Sequence, residues 1–139
     1  MGRLGLAAAA MVTALATQAG AAGAGRAVTP DEFAAMVVGR TLHFDRYGEP
    51  YGAEQYFPDR RVIWAFEDGQ CERGIWFDNA AGQICFVYDA DPAPQCWDFL
   101  EMPSGDFHAR ADGSAPEADL VTRRTDEEAL DCPLPDLGV

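Results

Sequence analysis

The spacing of apolar residues changes character once along this chain. Over residues 28–39 it is helical: Phe33, Met36 and Val37 fall on one stripe that ends at Gly39. Thr29-Pro30-Asp31-Glu32 precedes the stripe as a capping box, in which the Thr hydroxyl accepts from the amide of Glu32 and the Glu carboxylate reaches back to the amide of Thr29. Pro30 suits the first helical position, and Val28 and Phe33 are spaced for a hydrophobic staple. The pattern predicts a helix of about ten residues, too short to be stable by itself, whose apolar stripe must dock on something else. From Arg40 onward, short runs of β-branched and aromatic residues alternate with turn signals at a spacing of roughly ten residues, the mark of an antiparallel meander. Strands are expected over 41–44, 54–57, 61–67, 70–78, 83–89, 95–102, 107–111 and 119–123. Asp68-Gly69 is the sharpest turn signal and reads as a two-residue type I′ hairpin, which sets Phe66 opposite Cys71, Trp64 opposite Arg73 and Val62 opposite Ile75. Continued through the following hairpins, that register gathers Trp64, Phe66, Phe77, Ile84, Phe86, Tyr88, Trp97 and Phe99 on a core face, with Glu67, Glu72, Asp78, Gln83 and Asp98 on the wetted side. The expected fold is mainly β, an antiparallel meander forming a curved sheet or small barrel, with one short N-terminal helix closing an end or covering the apolar face.

The first segment adds a compartment. Residues 1–21 carry one charge, Arg3, then an apolar run and small residues of the type cut by signal peptidase, so they read as a signal peptide with cleavage after Ala21 or Ala24. No later segment approaches the about 20 apolar residues a membrane span needs, and a periplasmic or secreted product without a membrane span is expected. The remainder divides into one β-rich domain over 28–124 and an acidic tail over 125–139. All four cysteines, Cys71, Cys85, Cys96 and Cys132, lie in the exported part, where disulfides are favoured. Their spacings of 13, 10 and 35 intervening residues contain no C-x-x-C pair and do not fit a zinc site. Strand parity puts Cys85 and Cys96 together on the outer face and Cys71 toward the core, so Cys85–Cys96 and Cys71–Cys132 are the favoured bridges, the second tying down the tail.

Charge removes one class of partner. Ten basic residues, all Arg, stand against 23 carboxylates for a formal net charge of −13, so nucleic acid is excluded as a partner, whereas cationic proteins, cationic small molecules and metal ions remain electrostatically compatible.

Catalytic templates are sparse. Ser104 and Ser114 sit outside any nucleophile motif, Asp89 and Asp91 lack the rest of a calcium loop, and Asp126-Glu127-Glu128 reads as solvated acidic tail. His43 and His108 fall in strands that a closing sheet would bring near each other; with Met36 and Met102 they are the only material for a copper-type or catalytic centre, and their spacing asks for neither. No metal or cofactor is expected. Among binding candidates, Arg73 is directed by parity to the aromatic side between Trp64 and Tyr88. There it binds an anionic group, stacks at the sheet edge, or is swung outward by a bulge at Gly74. The loop 47–52 offers Tyr47 and Tyr51, and Trp76 falls on the wetter face.

Gly39-Arg40-Thr41-Leu42, Tyr56-x-x-Asp59-x-x-Val62-x-Trp64, Gly74-x-Trp76 and Ile84-Cys85-Phe86-x-Tyr88 followed by Cys96-Trp97 make residues 30–100 resemble small exported bacterial β proteins of unknown function. The resemblance implies export and a disulfide-linked β fold, and supplies no catalytic residues. The expected function is an exported, non-enzymatic binding or interaction module. Two alternatives stand beside it: an inhibitor of a cationic envelope-attacking enzyme such as lysozyme, and a small periplasmic enzyme using His43 and His108.

Overall fold

The computed structural model describes residues 25–133. The signal peptide assigned to 1–21 and the end of the acidic tail lie outside these residues. A two-residue strand β1 (Arg26–Ala27) precedes helix α1 (Pro30–Val37), so the helix is not the first element described, though it precedes the barrel strands. Eight strands follow: β2 (Thr41–Arg46), β3 (Glu49–Tyr56), β4 (Arg61–Phe66), β5 (Cys71–Asp78), β6 (Ile84–Tyr88), β7 (Asp91–Glu101), β8 (Phe107–Ala111) and β9 (Leu120–Asp126). Each pairs antiparallel with the next, and β9 returns to pair with β2, closing an eight-stranded barrel. β1 pairs with β7 at Leu100 and Glu101, beyond the last residue that β6 uses.

The capping box forms as the sequence requires: Glu32 N–H donates to Thr29 Oγ1 at 3.2 Å, and Thr29 N–H donates to Glu32 Oε2 at 2.9 Å. Gly39, at φ +77°, turns the chain out of the helix into β2, a backbone conformation that costs glycine little. The stripe docks into one end of the barrel. Phe33 is fully buried, with its ring 4.5 Å from that of Phe99, 5.1 Å from Trp76 and 5.6 Å from Tyr56. These partners come from the ends of β3, β5 and β7, so the helix is the plug of that end.

The first hairpin after the helix corrects the turn assignment. Tyr47 and Gly48 have φ of +53° and +79° between the paired residues Arg46 and Glu49, which makes them the two-residue type I′ turn. Glu49 to Gly52, expected as loop, are strand. At the β4–β5 connection only Gly69 has positive φ, Phe66 N–H donates to Gln70 O at 2.9 Å, and three residues make the loop. That one extra residue shifts the register: Ala65 is opposite Cys71, Trp64 opposite Glu72, Ile63 opposite Arg73, Val62 opposite Gly74 and Arg61 opposite Ile75. Every side chain of β5 therefore faces opposite to the expectation. Trp76 is buried in the core, while Arg73, Ile75, Phe77 and Cys71 lie on the outer side and Ile75 is exposed. β6 and β7 regain the expected parity, with Ile84, Phe86, Tyr88, Trp97 and Phe99 inward, because the β5–β6 loop absorbs the offset.

Both disulfides pair as expected, Cys85–Cys96 between directly opposed residues of β6 and β7 and Cys71–Cys132 anchoring the tail, although Cys71 lies on the outer side and not toward the core, where the sequence parity places it. β9 runs on through Asp126, beyond the boundary expected at 124. The chain after it crosses the outside of the barrel, where Thr41 Oγ1 donates to Glu128 O at 2.6 Å and Leu130 N–H donates to Gln55 Oε1 at 3.0 Å. On the strands it crosses, Thr41 and Ile63 are buried even though they point away from the barrel interior. The Cys71–Cys132 bridge spans 61 residues and Cys85–Cys96 spans 11, for which chain entropy gives about 4 and about 3 kcal/mol respectively. Urea unfolding of the two paired Cys→Ser variants is expected to show the larger loss for C71S/C132S; the reverse order would mean that the strap adds little beyond its own fold.

Candidate functional site

The barrel interior is not filled. A cavity of about 260 Å3 lies along its axis on the side away from the helix plug, bounded by Phe44, Trp64, Phe66, Phe86, Trp97 and Phe99. Five polar side chains also line it: Glu54, Tyr56, Glu72, Tyr88 and Gln95. No Arg or His is among the lining residues.

Register explains how these groups meet. Glu54 of β3 is opposite Trp64 of β4, which is opposite Glu72 of β5, so three consecutive strands place a carboxyl, an indole and a second carboxyl in one interior row. Two inward-facing glycines make the room. A Cβ on Gly52 would stand 2.4 Å from the Trp64 ring, and one on Gly74 would stand 2.4 Å from Val87 O and 2.9 Å from the Tyr88 ring. The rings of Trp64 and Tyr88 thus lie across bare backbone, and Tyr88 Oη donates to the Glu54 carboxyl at 2.9 Å.

Glu54 is only 3% exposed. Burial pushes its pKa up to about 8; the hydrogen bond from Tyr88 opposes the rise and the charge of Glu72 adds to it. Burial likewise pushes the Tyr56 and Tyr88 hydroxyls up, so both remain protonated donors across the physiological range. Tyr56 Oη is buried without a hydrogen-bond partner among the described residues, against the rule that buried polar groups are paired. The cavity thus holds a carboxyl near its titration point, two phenols, one of them unpaired, and a facing carboxylate between aromatic walls.

Of the residues singled out from the sequence, Trp64, Tyr88 and Tyr51 line this cavity. Trp76 does not: it packs against Phe33 at the plugged end, with the Arg60 guanidinium 4.4 Å above its ring. Arg73 is outside, 3.5 Å from Asp89 in a half-exposed pair, so it is not directed at Trp64 and Tyr88. Tyr47 is exposed at the tip of the β2–β3 hairpin, where Arg46 lies between its ring and that of Tyr51 at 5.3 and 5.4 Å. His43 and His108 are not brought into one site. They sit on the two strands that flank β9, His43 3.1 Å from Asp126 and His108 3.2 Å from Asp119. Burial, aided by Arg124, lowers the His43 pKa. Burial raises that of Asp119, but hydrogen bonds from Arg110 and His108 outweigh it and hold the group below the usual range.

Glu54, Tyr56, Glu72 and Gln95 are the polar lining groups that sequence reasoning missed. Glu54 was within reach, since period-2 alternation places it on the face of Tyr56 in the expected strand 54–57. Glu72 was lost to the one-residue shift in the β4–β5 loop.

Among the described residues no three His, Cys, Asp or Glu side chains are grouped to hold a metal, and no helix is long and apolar enough to cross a membrane. Comparison with family models, with curated proteins and with solved structures gives no match.

Proposed function

We propose that this protein is an exported, non-enzymatic binding module whose ligand is a small molecule held inside the barrel. The observation that carries the reading is the cavity of about 260 Å3 in the middle of an otherwise close-packed aromatic interior. Eight-stranded barrels have an interior just wide enough to be filled by side chains or to hold one small ligand, and two of the inward positions here are glycines. Ligand sites are mostly apolar with a few placed polar groups, and the balance of six aromatic walls against Glu54, Tyr56 and Tyr88 follows that composition. The volume is modest. A cavity of about 150 Å3 accommodates benzene, so this one suits a single ring with a short substituent.

Export rests on the leader-like composition of residues 1–21, and two disulfides fit an oxidising compartment, periplasmic or extracellular. No pair of described residues forms a nucleophile with its base in the cavity, and the carboxyl that titrates nearest neutrality serves equally as a ligand contact.

Titration with 2-phenylethanol, followed by tryptophan fluorescence, tests the reading. Saturable one-to-one binding is expected, because Trp64 and Trp97 line the cavity, and Trp64→Ala should weaken it by about tenfold or more. A linear, non-saturating response into the millimolar range, unchanged by the substitution, would remove the cavity as a binding site.

A further inference from the structure

We infer that the ligand is an organic cation, an aromatic or alkyl amine whose ammonium group sits between the carboxylates of Glu54 and Glu72. This inference rests on the cavity being the binding site and names the chemistry of its occupant.

Two carboxyl groups reach the cavity from β3 and β5, and no basic side chain lines it. A neutral occupant leaves both carboxyl groups without a counter-charge and Glu54 protonated, and an anionic one would add a like charge beside them. A cation supplies the missing partner. The ring faces of Trp64, Phe86 and Trp97 carry the negative side of their quadrupoles, so the same walls that suit an apolar body also attract an ammonium group. Tyr56 Oη, buried and without a partner, provides an acceptor for one ammonium proton, and the Tyr88 hydroxyl keeps the Glu54 carboxylate in place. Arg46 is held between Tyr47 and Tyr51 rather than over the carboxylates. A formal net charge of −13 draws cations toward the whole molecule.

The groups facing Glu54 are Trp64 from β4, Glu72 from β5 and Tyr88 from β6, with Tyr56 beyond it on β3. None is cationic, so the ammonium ligand itself favours the ionised form of Glu54. Amine binding then expels the proton that the empty site holds below about pH 8. Affinity for the amine should rise with pH, by up to about tenfold per unit, until the carboxyl is ionised in the free protein as well.

The test compares 2-phenylethylammonium with its neutral isostere 2-phenylethanol by calorimetric titration of the full mature chain, between about pH 6 and pH 8. The amine is expected to bind at least about tenfold tighter than the alcohol at the upper pH, and to release close to one proton at the lower. The alcohol should show neither the pH dependence nor the proton. Glu54→Gln should bring the two affinities together while leaving the alcohol bound. Glu72→Gln, at the half-buried rim, should reduce the preference in part and serves if the first variant folds poorly. Alcohol bound as tightly as amine, or a preference that survives both substitutions, overturns the inference and leaves the cavity reading standing. Binding of neither compound overturns both.

Discussion

Phe33→Ala is expected to destabilise the protein by about 3–5 kcal/mol, the range for removing a large buried aromatic. The side chain is wholly buried, and its edge and face contacts join α1 to β3, β5 and β7 at the plugged end. The neighbouring Tyr56, Trp76 and Phe99 belong to strands locked in a closed barrel, so they have little freedom to collapse into the space left behind. The helix depends on that contact too, because eight residues do not make a helix stable by itself in water. Denaturant unfolding should show a large fall in midpoint, and amide exchange should show 30–37 losing protection before the barrel strands. A loss under about 1 kcal/mol would mean that the capping box, rather than the plug, holds the helix in place.

The second large effect concerns pH. Glu54 has a pKa near 8 in the folded protein and an ordinary 4.5 in the unfolded chain. Between those values the folded state keeps a proton that the unfolded state has released, so this group makes stability fall as pH rises. The slope approaches about 1.4 kcal/mol per pH unit, and the accumulated cost above pH 8 is on the order of 5 kcal/mol. Glu54→Gln cannot ionise. Its unfolding free energy should therefore be nearly level from about pH 6.5 to 8, above the window in which the lowered His43 pKa makes stability fall with falling pH, while that of the parent declines, and the variant should be the more stable of the two at the alkaline end. Asp119 and Asp78, whose pKa values are held below the ordinary range, act with the opposite sign: their contribution is present above their unfolded pKa and is lost as pH falls through the folded one. Their window lies on the acid side, so the two effects separate along the pH axis. Parallel curves for parent and variant would place water or a counter-charge beside Glu54.

Under the proposed function, the stability lost to Glu54 is the counterpart of its role as a ligand contact. A leucine there would extend the aromatic core without a titrating group, whereas a carboxyl among rings suits an occupant that compensates it.

Sequence patterning alone determined several features, and each rests on interactions between residues close along the chain. The capping box at Thr29–Glu32 and the stripe of Phe33, Met36 and Val37 specify the helix locally. Alternation specifies the strands, since period-2 burial needs only one wetted face. Cys85 and Cys96 belong to strands joined by one connection, so their opposition needed no long-range information. The direction of β5 needed the structure, because it turns on whether two or three residues bridge Phe66 and Gln70, and Asp-Gly serves either loop. That single residue moved Arg73 out, brought Trp76 and Glu72 in, and changed which residues belong to the site. The closure of β9 on β2, the strap beyond Asp126 and the gap at the barrel centre are likewise tertiary facts. A cavity is a property of side-chain volumes summed over strands far apart in sequence, and only when Gly52 and Gly74 are seen facing inward beneath Trp64 and Tyr88 does it become clear that the core keeps a space beside Glu54.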